Sequence, residues 1–256
     1  MQGTVTSADG TDIVFDRFGS GPAVIVIGGA LMNRTSPQET VRLLAENHTV
    51  YSYDRRGRGE SGDTQPYAPS REIDDVCAIL DTCGRARVFG MSSGGFIALA
   101  AAARDPRIVK AAVYEPPYLT GDGPLTATDY QEKLDAAVAG GRPDQAVELF
   151  LRQVSGGWFD ESIKSTPWWP GMVALGPSLR YDAALTGDGS VPVNTLSEIT
   201  APVLALYGGA SDDWAEAAAQ AVSAAVPNGE VQRIDGQSHQ VDQAVLATAL
   251  AKFFDD

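Results

Sequence analysis

The sequence predicts an α/β fold built on a parallel sheet with helices on both faces. Three features carry that expectation. Short apolar, β-branched runs alternate with helix-like segments through most of the chain. The run Ala23-Val24-Ile25-Val26-Ile27 is continuously apolar, as expected of a strand buried on both faces. The pentapeptide Gly90-Met91-Ser92-Ser93-Gly94 joins an apolar run to a helix of small residues, which reads as a sharp strand-to-helix turn.

The elements follow in order. Thr4-Val5-Thr6 and Ile13-Val14-Phe15 flank Asp9-Gly10, a hairpin signal. The Ala23–Ile27 strand ends at Gly28-Gly29. A helix is expected from about Pro37 to Glu46, then a strand at Thr49–Tyr53. Asp54 to Gly62 carries three glycines and reads as loop. A helix around Ile73 to Cys83 precedes the strand Ala86–Phe89 that feeds the Ser92 turn, and Ile108–Tyr114 is the next strand. The alternation then breaks. From Tyr118 to about Ile199 no strand is evident, and Asp129–Val138 and Pro143–Val154 have the spacing of amphipathic helices. Alternation resumes with a strand at Val203–Tyr207, a helix from about Trp214 to Val226, a strand at Val231–Ile234 and a helix from about Val241 to Phe254.

Bulk properties bound the function. With 256 residues and 44% hydrophobic content, the chain can bury the core of one large domain. Lys plus Arg number 19 against 33 Asp plus Glu, a net charge of −14 with no basic cluster. That balance argues against nucleic acid and disfavours anionic substrates. No apolar run is long enough for a membrane span, and no basic region followed by an apolar segment opens the chain. A cytoplasmic protein acting on a small-molecule substrate, away from membranes, is expected, as monomer or homodimer. Cys77 and Cys83 fall on different faces of one predicted helix and read as reduced thiols. His48 and His239 are the only histidines, so spacing assembles no metal-ligand cluster, and no cofactor is expected.

In the pentapeptide, Ser92 is the serine flanked on both sides by glycine two residues away. The turn would expose its hydroxyl above a helix N-terminus. Ser93 follows, with its backbone N–H placed to donate to a developing oxyanion. A serine needs a base. His48 lies just before a strand, at the edge opposite the carboxyl ends, whereas His239 lies between the last strand and the last helix. Ligand sites in such sheets form outside the carboxyl ends of the strands, and both Ser92 and His239 fall there.

With these residues in place, the chain resembles the α/β-hydrolase fold superfamily over nearly its whole length. The resemblance rests on Gly28-Gly29 after the third strand, the Asp54-to-Ser61 loop, the Ser92 turn, and Gly236-x-x-His239. It implies a mostly parallel eight-stranded sheet and a helical cap inserted after the sixth strand. The core would then be residues 1–117 and 200–256, and the cap 118–199. It also implies a triad in the order serine, acid, histidine. A serine at the turn argues against the haloalkane dehalogenases and epoxide hydrolases of this superfamily, which carry aspartate there. The resemblance aligns the backbone N–H of Ala30 with the second oxyanion donor. Its usual acid falls three residues after Gly208, where this chain has Ser211. The acid is therefore sought at Glu115, at the end of the sixth strand, or at Asp212 or Asp213, with Asp182 a further candidate.

The expected activity is that of a serine hydrolase on an uncharged, largely apolar carboxylic ester, lactone or thioester, with Glu115 orienting His239. Leu31, Met91, Tyr118, Trp168, Trp169 and Met172 are expected around the substrate, although the tryptophans, Trp158 included, would serve equally as the cap's own core. Two alternatives stay open. One is a lyase, cyclase or carbon–carbon-bond-cleaving enzyme using the same site. The other is a ligand-binding protein with a degenerate triad.

Overall fold

The structure, a computed structural model, describes residues 1–119 and 128–256. Its centre is an eight-stranded sheet ordered β1-β2-β4-β3-β5-β6-β7-β8. The strands are β1 (Gln2–Thr6), β2 (Asp12–Gly19), β3 (Ala23–Ile27), β4 (Thr49–Tyr53), β5 (Ala86–Met91), β6 (Ile108–Tyr114), β7 (Val203–Gly208) and β8 (Gly229–Ile234). β1 and β2 pair antiparallel, as does β2 with β4, and every pairing from β4 through β8 is parallel.

Alternate residues of the central strands feed two cores, which is why those strands are apolar without interruption. Ile25, Ile27, Val88 and Val113 point to one face. There they pack with α2 (Pro69–Cys83), α3 (Ser93–Arg104) and α9 (Asp213–Ala225). Val24, Val26, Phe89 and Tyr114 point to the other, against α1 (Gln38–Leu44) and α10 (Gln243–Asp255). Each fully buried aliphatic side chain of this kind contributes about 1.5–3 kcal/mol. α2 starts earlier than the apolar periodicity suggested, because Pro69 in its first turn has φ fixed for helix entry. α10 starts later, at a boundary set by Asp242, whose carboxylate accepts the N–H groups of Ala244 and Val245.

Between β6 and β7 lies the helical cap. It contains α4 (Thr128–Ala139), α5 (Pro143–Val154), α6 (Trp169–Leu175), α7 (Leu179–Thr186) and the short α8 (Val193–Leu196). Leu134, Ala137, Ala146, Val147 and Leu179 form its own small core. Among the described residues, no helix is long and apolar enough to cross a membrane.

Strand register decides where chemistry can gather. Ile27 pairs with Gly90, Met91 with Tyr114, Tyr114 with Leu206, and Gly208 with Ile234. The loops after β3, β5, β6, β7 and β8 therefore leave the sheet at one edge, side by side, beneath the cap.

Candidate active site

Ser92 sits between β5 and α3 with φ 50° and ψ −123°, a conformation disfavoured for a residue with a side chain. Close packing enforces it. A Cβ at Gly94 would strike the carbonyls of Ile27 and Gly28, and one at Gly90 would strike the backbone of Gly94. The Ser92 N–H is held by the Tyr114 carbonyl at 2.9 Å. Among the described residues, the non-glycine residues at positive φ are Leu31, Ser92 and Glu115, and all three lie at this edge of the sheet. Backbone strain of about 1–3 kcal/mol per residue persists only where surrounding contacts hold it.

Glu115, the residue after β6, is completely buried. Its Oε2 lies 2.7 Å from His239 Nδ1, and its Oε1 accepts the Gly208 N–H at 2.8 Å and the Ser211 hydroxyl at 2.5 Å. Burial works to raise the Glu115 pKa. The hydrogen bonds from His239, Ser211 and Gly208 outweigh it and hold the carboxyl below its ordinary value. Asp212 and Asp213 are exposed at the start of α9 and do not pair with His239. The serine at the superfamily's usual acid position is thus a donor to a carboxylate arriving from the neighbouring strand.

His239 keeps 45% of its side chain exposed. The Trp214 ring lies against it, centroids 5.9 Å apart, and the Tyr114 hydroxyl donates to the carbonyl of Ser238 at 2.6 Å. With Nδ1 directed at Glu115, Nε2 is left for a second partner. Ser92 Oγ and His239 Nε2 are not hydrogen-bonded to one another; contacts of this type tighten in the reacting complex.

Ser92, Ser93, Ala30 and His239 all line one cavity of about 1090 Å³. The Ser93 N–H opens α3, and Ala30 stands in the loop after β3 with its N–H taken by no backbone acceptor among the described residues. His48, by contrast, is buried far from this edge, its ring against Leu44 O and Asp255.

Of the residues expected around the substrate, Met91 lines the cavity. Leu31, Tyr118, Trp168, Trp169 and Met172 do not. Tyr118 is buried in the sheet core, edge-on to Phe96 at 4.5 Å. Leu31, Trp169 and Met172 pack against the cap core. Trp168 is 71% exposed and Trp158 68%, and neither belongs to the cap core or to the cavity lining. Helix periodicity does not say which way a loop tryptophan turns. The cap instead offers Phe150, Leu151 and Val154 from α5, whose amphipathic spacing was readable but whose direction was not.

The sequence reading also missed a set of buried charges beneath the cavity. Arg55, Arg56 and Arg58 are all buried. Arg55 bonds Glu72 through Nε at 2.7 Å and Nη2 at 2.6 Å, and Arg56 bonds Asp75 at 2.9 and 2.7 Å. Asp182, weighed as a triad acid, instead receives Arg55, Arg58 and the Ser93 hydroxyl. The arginine-rich loop was visible as a motif; burial of its side chains was not. Among the described residues, no group of three or more His, Cys, Asp or Glu side chains is placed to hold a metal.

Comparison with known proteins agrees with this architecture. The model of the alpha/beta hydrolase family matches residues 24–253. An alpha/beta hydrolase from Sphaerobacter thermophilus is 43% identical, with a TM-score of 0.91 over 98% of this chain and 100% of its own. A hydrolase from Pseudomonas aeruginosa is 20% identical, with a TM-score of 0.78 over 100% of this chain and 98% of its own, a likeness of fold alone. A stretch of the polyketide synthase ThaQ from Burkholderia thailandensis is 28% identical over 244 residues, which is 88% of this chain and 11% of that protein. The chain spans less than half the length of the curated relatives it matches.

Proposed function

The chain belongs to the alpha/beta hydrolase family, and from that premise we propose that it is a serine hydrolase of uncharged, largely apolar carboxylic esters, lactones or thioesters. The observation that carries this reading is the 2.7 Å pair of His239 Nδ1 and buried Glu115, set in the same cavity as the strained Ser92.

Ser92 Oγ attacks the substrate carbonyl while His239 Nε2 takes its proton. Glu115 keeps Nδ1–H engaged, which fixes the tautomer and stabilises the imidazolium. The negative charge that develops on the carbonyl oxygen is met by the N–H groups of Ala30 and Ser93, at a cavity edge where such donors count for more than in water. Collapse expels the alkoxide or thiolate, which takes the proton from His239. Water then repeats the sequence on the acyl-enzyme, leaving a carboxylic acid and free Ser92. The lining supports this substrate class. Met91, Leu119, Phe150, Leu151, Val154 and Trp214 contribute apolar surface, and no Lys or Arg is among the described lining residues to receive an anion.

The test is the intact mass after exposure to a fluorophosphonate, with peptide mapping, beside turnover of p-nitrophenyl butyrate. One adduct on Ser92 is expected, absent in Ser92→Ala, with turnover in that variant reduced on the order of 10⁴-fold or more. Equal labelling or turnover in Ser92→Ala sinks the proposal. The match to a stretch of polyketide synthase supports a second reading, cyclisation or carbon–carbon bond chemistry on a polyketide-like substrate. That reading expects negligible turnover of simple esters while substrate analogues still bind in a His239-dependent manner.

A further inference from the structure

Asp182 is a carboxylate of the cap, on α7, carried into the charged layer beneath the cavity and only 5% exposed. Its Oδ1 accepts from Ser93 Oγ at 2.7 Å, Arg55 Nη1 at 2.8 Å and Arg58 Nη2 at 2.8 Å, and its Oδ2 accepts from Arg58 Nη2 at 2.7 Å. The two arginines do not end there. Arg58 Nη1 donates to the carbonyl of Gly29 at 2.5 Å and of Met32 at 3.1 Å. Arg55 Nη1 also reaches the carbonyl of Gly28 and the hydroxyl of Ser93, each at 3.3 Å.

We propose that Asp182 is a positioning residue for both oxyanion donors, acting through Arg58 on Ala30 and through the Ser93 hydroxyl on Ser93. The inference rests on the serine-hydrolase reading of the site. Its core is the geometry of one peptide unit. The Gly29 carbonyl and the Ala30 N–H share a planar trans amide, so they point in opposite directions and turn together. Once Arg58 holds the carbonyl on the buried side, the Ala30 N–H faces away from the arginine, and Ala30 lines the cavity. A cation on that carbonyl also polarises the amide and strengthens its N–H as a donor. On the other side of the site, the Ser93 hydroxyl is tied to Asp182, which pins the first residue of α3, whose N–H is the second donor.

Arg55 and Arg58 are like charges in a buried layer; Glu72 also offsets Arg55, whereas Asp182 is the carboxylate that pairs with Arg58 and keeps its guanidinium on the Gly29 carbonyl. Burial would raise the Asp182 carboxyl, but Arg58, Arg55 and Ser93 hold it below the ordinary range, so it stays an anion. Because that anion belongs to the cap, seating the cap and setting the oxyanion donors are one structural event.

The experiment compares Asp182→Asn and Ser93→Ala with the wild-type full chain by three measurements. These are p-nitrophenyl butyrate kinetics, inhibition by an alkyl boronic acid, and amide hydrogen exchange of peptides covering residues 28–33. Asp182→Asn keeps the shape of the side chain and removes its charge. It should lower kcat by about 10- to 100-fold, as expected for a displaced oxyanion donor, with KM within about two-fold. Boronate affinity should fall in parallel, and exchange in residues 28–33 should rise. Ser93→Ala removes only the hydroxyl. It should lower kcat less, again at unchanged KM, and it keeps the test open should Asp182→Asn fail to fold. A purely structural role lowers the melting temperature without separating kcat from KM. Wild-type kcat and unchanged exchange in both folded variants overturn the proposal. If the wild type itself neither turns over the ester nor takes up a fluorophosphonate, the hydrolase reading falls. The exchange of residues 28–33 then decides the positioning claim alone, unchanged exchange refuting it.

Discussion

Glu115 and Asp182 are both buried carboxylates at the same edge of one sheet, both held as anions, yet they are neutralised in opposite ways. Glu115 faces a histidine that is 45% exposed and sits in a loop between β8 and α10. Asp182 faces two arginines with essentially no exposed side-chain surface. A guanidinium holds its proton throughout the accessible pH range and can only fix geometry. An imidazole can accept a proton and return it, and so can carry a reaction. In the proposed mechanism the same buried negative charge supports chemistry in one place and a scaffold in the other, and the partner decides which.

The largest expected break in this contrast is Glu115→Gln. The amide keeps the volume but cannot hold the productive tautomer of His239, so kcat should fall on the order of 10³- to 10⁴-fold. Urea-melt stability should change far less than activity. Retention of more than a tenth of wild-type kcat in the purified variant would move the acid role elsewhere.

Next comes Arg55→Met, on the scaffold side. It leaves Glu72 and Asp182 short of a buried counter-charge, and breaking such a pair costs about 3–5 kcal/mol. Here the urea midpoint carries the main effect. A stability change below about 1 kcal/mol would mean that the buried layer relaxes or hydrates.

A smaller effect is expected for Ser211→Ala, which removes one donor from Glu115 and costs about 1 kcal/mol. The Glu115 pKa is depressed in the folded chain. Its contribution is therefore full above the unfolded carboxyl pKa and is lost as pH falls through the lower folded value. Loss of the Ser211 donor raises that folded value. The stability difference between wild type and variant should be largest near neutral pH and should close on acidification. A difference that widens as pH falls would contradict the assigned hydrogen bond.

The smallest effect belongs to Trp168→Ala. The ring is 71% exposed and touches neither network, so stability should stay within about 0.5 kcal/mol and kcat/KM within about two-fold. A large rise in KM would place Trp168 over the bound substrate.

Much of this molecule is legible in its sequence. The strands β3, β5, β6 and β7 announce themselves because a strand covered on both faces must be apolar at every position, a local property of consecutive residues. Ser92 was legible because the glycines at 90 and 94 are demanded by backbone contacts within a few residues and with the end of β3. His239 followed because the chain has one other histidine, at the wrong end of a strand. Elsewhere the sequence was silent or misleading. Spacing left Glu115, Asp212 and Asp213 open as the acid, and it put Trp168 and Trp169 around a cavity whose lining does not include them.

The chain by itself thus determined the order of elements, the strained serine and the histidine, because each is written in neighbouring residues. Only the tertiary structure decided that Glu115 meets His239 across 124 positions, and that Asp182 meets Arg58 across 124 more. Those encounters depend on the register of parallel strands and the seating of the cap. They are sums over many weak packing contacts that no short stretch of sequence records.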